Sequence, residues 1–299
     1  MQLPVQDHAC RNQNILIFTK FNKEKMITNI LVPTDFSATA NNALSFALNF
    51  AQKCKAEVYV LHVSFIPVTD AYFPAESYAS ILTEIKETAK AQFEQLRNTF
   101  KDSGFKYHEV NAAGFIYDEI KKFSGSQNID LVVMGTTGSS GLKELLIGSN
   151  TASVVSGSDI PVLVIPPSAT YHELKKIVYA TDYKEPEFPA VTRLIYIAEL
   201  FDAEVLVINV KAEYDRYFNE SENYFVKNRK LVAFQKWKMG KSENTNIMEG
   251  INNIINNENA DLLVMAKHNR SLFERIFHRS LSKRMAYHTK IPLLVLNKE

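Results

Sequence analysis

Four short apolar runs in the first half of the chain are continuous rather than alternating: ILVP at 30–33, VYVLHV at 58–63, LVVMG at 131–135 and PVLVI at 161–165. Strands buried on both faces read this way, whereas a half-exposed strand alternates apolar and polar residues. Between the runs the period changes. In NNALSFALNFAQKC, Leu44, Ala47, Leu48 and Ala51 fall on one helical stripe. Strands alternating with helices predict an α/β fold, a parallel sheet with helices on both faces. Ligands of such sheets sit beyond the carboxyl ends of the strands, where the strand order reverses.

The pattern occurs twice. ILVPTDFS (30–37) returns as IVYATDYK (177–184), and AEVYVLHV (56–63) as AEVLVINV (203–210). IDLVVMG (129–135) returns as ADLLVMA (260–266), and DIPVLVI (159–165) as KIPLLVL (290–296), at a shorter offset. The second copy has therefore lost residues between its second and fourth strands. Two copies of one domain are predicted, over 26–167 and 174–299, with a linker at 168–173 inside PPSATYHELKK. Each is expected to be a five-stranded, Rossmann-like parallel sheet. Residues 1–25 stand outside the repeat as an N-terminal extension. Its apolar run, ILIF, is too short for a secretory signal, and Met26 is an alternative start.

Composition narrows the function classes only slightly. A hydrophobic fraction of 46% and a charged fraction of 22% are those of an ordinary globular chain. A net charge of +1 provides no general attraction to nucleic acid or to a membrane surface. No apolar run approaches the ~18 residues of a membrane span. Cys10 and Cys54 form neither a disulfide framework nor a zinc cluster and are expected as free thiols. Cytoplasm is the expected location.

Four of the ten glycines lie in MGTTGSSGLKELLIGSNT at 134–151, directly after LVVM. Glycine is used where φ is positive or where another group comes close. Gly148 precedes SNTASVV, which reads as a helix start with Ser149 or Asn150 as N-cap. A helix N-terminus offers unpaired N–H groups and a positive dipole end to an anion. The hydroxyls of Ser149 and Thr151 are two further candidate donors. Neither GxxxxGK(S/T) nor GxGxxG is present. Two readings stand at this point: a phosphate cradle, or a turn that closes a strand–helix unit.

The spacing G-x2-G-x9-G-(S/T), met by Gly135, Gly138, Gly148 and Ser149, resembles the ATP-binding branch of the universal stress protein family. The resemblance spans the first copy, from VPTD after strand one and LHV after strand two to PVLVIP as strand five. It implies ATP as ligand, with Mg²⁺ accompanying the phosphates. Asp35 would approach the nucleoside, with Pro33 and Thr34 shaping that wall, and Val63 would offer backbone groups to the adenine edge. Met134 and Gly135 would run along the nucleoside and ribose. Gly138, Gly148, Ser149, Asn150 and Thr151 would hold the phosphates. For Asp35 the competing reading is a cap on the helix that starts at SATANNAL. His62, inside VYVLHV, is expected to be a hydrogen-bonded structural histidine rather than an acid or base.

The second copy keeps Thr181-Asp182 but has Ala266, Asn269 and Arg279 opposite Gly135, Gly138 and Gly148; only Ser280 matches Ser149. It is expected not to bind ATP in the family's manner. Its loop is basic, with Lys267, Arg270, Arg275, Arg279, Lys283 and Arg284 against Glu274. That run is either a solvated helix face or a site for an anion or acidic partner. RNA lacks a supporting aromatic motif. No nucleophile–base pair, carboxylate pair or metal cluster stands out beside the glycines. The expected function is a nucleotide-dependent stress-response sensor or regulator, read by a client protein. A nucleotide-free scaffold and an adenylating or ATP-hydrolysing enzyme are the alternatives. The resemblance further implies pairing through fifth strands. In this chain PVLVIPP and PLLVLNK would form an intrachain pseudo-dimer, with a homodimer of whole chains as a further level.

Overall fold

The computed structural model describes residues 27–65, 74–136, 148–181, 188–211, 234–244, 247–267 and 290–297. The extension 1–25, Gly138, Asp182 and the basic loop after Lys267, with Asn269, Arg279 and Ser280, lie outside the described residues. The chain divides into two compact units.

The first unit runs β1 (Asn29–Thr34), α1 (Ala38–Cys54), β2 (Glu57–Ser64), α2 (Ala75–Phe100), β3 (His108–Ala113), α3 (Ile116–Gln127), β4 (Leu131–Gly135), α4 (Ser149–Gly157) and β5 (Val162–Ile165). These strands are parallel in the order β3-β2-β1-β4-β5. The order reverses between β1 and β4, so right-handed crossovers send the helices to opposite faces. Ile30, Leu31 and Val32 of β1 and Val132 and Val133 of β4 are wholly buried, which is why their runs do not alternate. β3 is different: none of its residues is fully buried, consistent with its place at the end of the strand order.

Helix α1 shows how local signals set an element. Ser37 is its N-cap and accepts a hydrogen bond from Ala40 N at 3.2 Å. Its apolar stripe, Leu44, Ala47, Leu48 and Ala51, is buried. It packs on β1 and β4 and ends at Lys55, which is left-handed at φ 58°.

The second unit contains β6 (Lys176–Ala180), α5 (Phe188–Phe201), β7 (Glu204–Lys211), β8 (Trp237–Glu243), α6 (Ile247–Glu258) and β9 (Leu262–Ala266). Its strands are parallel in the order β9-β6-β7-β8. The repeat holds at the level of single backbone groups. Lys55 and Asp202 end equivalent helices at φ 58° and 53°, and Asn128 and Asn259 both do so at 50°. Asp130 Oδ2 accepts from the amides of Thr28 at 2.8 Å and Asn29 at 3.0 Å. Asp261 Oδ2 does the same with Lys175 at 2.6 Å and Lys176 at 2.8 Å. In each copy one carboxylate thus ties the start of the fourth strand to the start of the first.

The last strand is β10 (Leu293–Leu296). Leu293, Leu294 and Val295 group with the first unit, antiparallel to Val164, Leu163 and Val162 of β5. Leu296, grouped with the second unit, accepts from Lys267 N at 2.8 Å, as Ile165 accepts from Thr136 N at 3.2 Å. Among the described residues no helix is long and apolar enough to cross a membrane.

Candidate functional site

A cleft of about 340 Å³ opens at the carboxyl ends of β1, β2 and β4. Pro33, Thr34, Asp35, Val63, Met134, Gly135, Gly148, Ser149, Asn150 and Thr151 line it, so every sequence-named site residue except Gly138 meets in one place. Ala40, His62 and Ile116 join them. Ala40 stands in the first turn of α1 and Ile116 opens α3. Neither carries a chemical signal in the sequence; each lines the cleft because a helix begins there.

One wall is the start of α4. Gly148, at φ −61° and ψ 155°, is the N-cap in place of Ser149 or Asn150, and among the described residues no side chain caps the helix. The Gly148 N–H donates to Thr136 O, and Gly148 O accepts from Ala152 N at 2.9 Å. The next three amides, of Ser149, Asn150 and Thr151, have no acceptor within the helix and lie at its positive end. Ser149 and Asn150 are exposed. Thr151 is buried, and its hydroxyl donates to Gly135 O at 2.8 Å. The free hydroxyl donor expected from the sequence is therefore already used, and Thr151 can offer an anion only its amide.

Gly135 has a neighbour in the protein itself. Its φ is not left-handed, and a Cβ there would stand 2.7 Å from Thr39 Cγ2 and 3.1 Å from Thr39 O. What comes close to this backbone is helix α1 of the protein itself. Gly157 has a similar cause: a Cβ would stand 2.6 Å from the Tyr117 ring, whose hydroxyl donates to Gly157 O at 2.9 Å. The two described glycines of the stretch have different settings. Gly135 closes a strand–helix contact, while Gly148 brings no side chain to the start of α4.

Asp35 is exposed and follows the end of β1. It is not the cap of α1, since Ser37 fills that role; instead Asp35 Oδ1 accepts from Ser37 N at 3.1 Å. Thr34 Oγ1 accepts from Phe36 N at 2.9 Å. Phe36 has φ 61°, a region costly for a bulky residue. His62 Nδ1 lies 3.0 Å from Thr34 O. A carbonyl only accepts, so Nδ1 carries the proton, and His62 is the hydrogen-bonded histidine the sequence suggested. Among the described residues no group of three His, Cys, Asp or Glu is placed to hold a metal ion.

Strand order and reversal point are those of a doubly wound α/β unit, and the comparisons agree. The profile of the universal stress protein family matches residues 26–166 and 239–297. A universal stress protein of Methanocaldococcus jannaschii is 32% identical over 145 residues, 48% of this chain and 85% of the relative. A second from the same organism is 32% identical over 154 residues, 47% of this chain and 95% of the relative. The crystal structure of a universal stress protein from Archaeoglobus fulgidus covers 91% of this chain and 97% of its own, with a TM-score of 0.66 at 19% identity. That likeness extends the shared fold across both copies. With both repeats matched by the profile, the chain belongs to the universal stress protein family.

Proposed function

We propose that the first unit binds ATP in this cleft and that a client protein reads the bound state, which makes the protein a nucleotide-dependent regulator of a stress response. One observation carries the reading: Ser149, Asn150 and Thr151, whose amides have no acceptor within α4, share a single cleft with Asp35 and Val63. In the strand order, Val63 on β2 and the helix after β4 lie on either side of β1. A ligand with a base at one end and phosphates at the other matches that arrangement.

The three amides donate to phosphate oxygens, and the helix end stabilises their charge. Gly148, and Gly138 as the family resemblance implies, keep side chains out of the phosphates' way. Pro33, Thr34, Met134 and Gly135 line the nucleoside, Asp35 accepts from its hydroxyls, and the Val63 backbone meets the adenine edge. The cleft volume is within the ~300–1,000 Å³ usual for small-ligand sites. ATP brings the phosphate charge that these donors compensate. Mg²⁺ commonly binds through phosphates and one or two carboxylates while keeping waters, so it would enter on the triphosphate.

The second copy is proposed to hold no ATP, because Arg279 replaces Gly148 at the phosphate position. We propose two domains, 26–167 and 174–299, joined as an intrachain pseudo-dimer; the two regions matched by the family profile support this. Native mass spectrometry of the purified protein tests the whole reading. Co-purified or added ATP should appear at one per chain. A chain that takes up no ATP, or that carries a bound adenylate, overturns it.

A further inference from the structure

We infer that Phe36, His62 and Phe93 are positioning residues for Asp35: three packed rings hold the strained turn from which Asp35 lines the cleft. The inference rests on the ATP reading of that cleft. Phe36 has φ 61°, where glycine would be free of strain. Such outliers persist only where their surroundings over-determine them, and they cluster at ligand sites.

Here the surroundings are specific. The Phe36 ring lies 4.7 Å from that of His62 and 5.0 Å, edge-on at 89°, from that of Phe93. His62 and Phe93 are 6.5 Å apart at 86°. The His62 Nδ1–H also holds Thr34 O at 3.0 Å, and Phe36 N holds Thr34 Oγ1 at 2.9 Å. Thr34 and Phe36 flank Asp35, so β2 and α2 fix the residues on both sides of it. Glycine at position 36 would relieve φ but supply no ring, which points to the ring as the reason for phenylalanine. Phe93 is 5% exposed and does not line the cleft, so it reaches a ligand only through Phe36 and His62. Helix α2 is thereby coupled to the nucleoside wall.

The test is titration calorimetry with ATP and with inorganic tripolyphosphate. His62→Ala and Phe93→Ala should each weaken ATP by about tenfold, the loss of one hydrogen bond to a charged group. Tripolyphosphate, which has no nucleoside, should bind as to wild type. His62→Asn, which restores an N–H donor for Thr34 O, should recover much of the ATP affinity. In an Asp35→Ala background, His62→Ala should cost nothing more, because its effect passes through Asp35. Leu96→Ala, on α2 but outside the ring stack, should lose stability yet keep ATP affinity. Should His62→Ala fail to fold, Phe36→Gly relieves the strained φ and should still lose the tenfold. Additive losses in the double variant, an equal loss in Leu96→Ala, or wild-type affinity in Phe93→Ala overturn the inference alone. No ATP binding by the wild type overturns the ATP reading, and this inference with it.

Discussion

Gly135 and Thr39 meet so closely that a Cβ on the glycine would stand 2.7 Å from Thr39 Cγ2. The end of β4 and the first turn of α1 are locked together at this point, and both border the cleft. Gly135→Ala should destabilise the protein by about 1–3 kcal/mol, the usual cost of overpacking. Thr39→Ala should restore part of that loss by removing Cγ2, but not all, because Thr39 O would still lie 3.1 Å from the new Cβ. Urea unfolding of the single and double variants measures both. Full stability in Gly135→Ala would mean that α1 can shift at no cost.

Thr151 should matter for folding before it matters for ligand. Thr151→Val removes the donor to Gly135 O and leaves a part-buried carbonyl unpaired, at a cost of about 1–3 kcal/mol. Thr151→Ser keeps the hydroxyl and should cost much less. Thermal melts of the two variants separate donor loss from methyl loss. Equal melting temperatures would contradict the assigned hydrogen bond.

Binding should saturate at one ATP per chain. Gly148→Arg reproduces at the first cleft the residue the second copy carries at Arg279. At φ −61°, position 148 needs no glycine for its backbone, so the substitution should leave the fold intact. It should abolish binding by placing a side chain across the start of α4. Calorimetry should read a stoichiometry of one for wild type and none for the variant. Two equivalent sites, or undiminished affinity in Gly148→Arg, would rule the assignment out.

Cys54 should be chemically silent in the native protein. Burial pushes its thiol from 9.0 up to about 11, and the residue is 5% exposed. The thiolate is the reactive form, so iodoacetamide at pH 8 should label Cys54 only after denaturation, as read by peptide mapping. The sign for stability follows from linkage. The folded value is raised, so the contribution is complete below the unfolded 9.0 and is lost as pH rises towards about 11. Cys54→Ala should remove that alkaline part of the pH–stability profile. Rapid native labelling would contradict the buried position.

Much of the site was legible because its signals are local. Continuous apolar runs mark buried strands, as Ile30–Val32 and Val132–Val133 prove to be. The helix start after Gly148 is a matter of a few neighbouring residues, and so the beginning of α4 could be read before any fold was known. Repetition added the second unit, down to Asp130 and Asp261 serving the same pair of amides in each copy.

Other features depend on residues far apart in the chain, and only packing decides those. Thr39 faces Gly135 because α1 lies across β4, so the lack of a side chain there is explained by a residue 96 positions away (135 − 39). Thr151 turns its hydroxyl to Gly135 rather than into the cleft, since burial requires that carbonyl to find a donor. Ile116 and Ala40 line the cleft only because two helices happen to begin at its rim. β10 carries the same apolar pattern as β5, and that pattern alone is silent on which strand it will meet; only the family resemblance implied β5. Periodicity specifies a strand's buried faces; its edge partner is set by which backbone row the folded chain leaves open, and here that row belongs to β5.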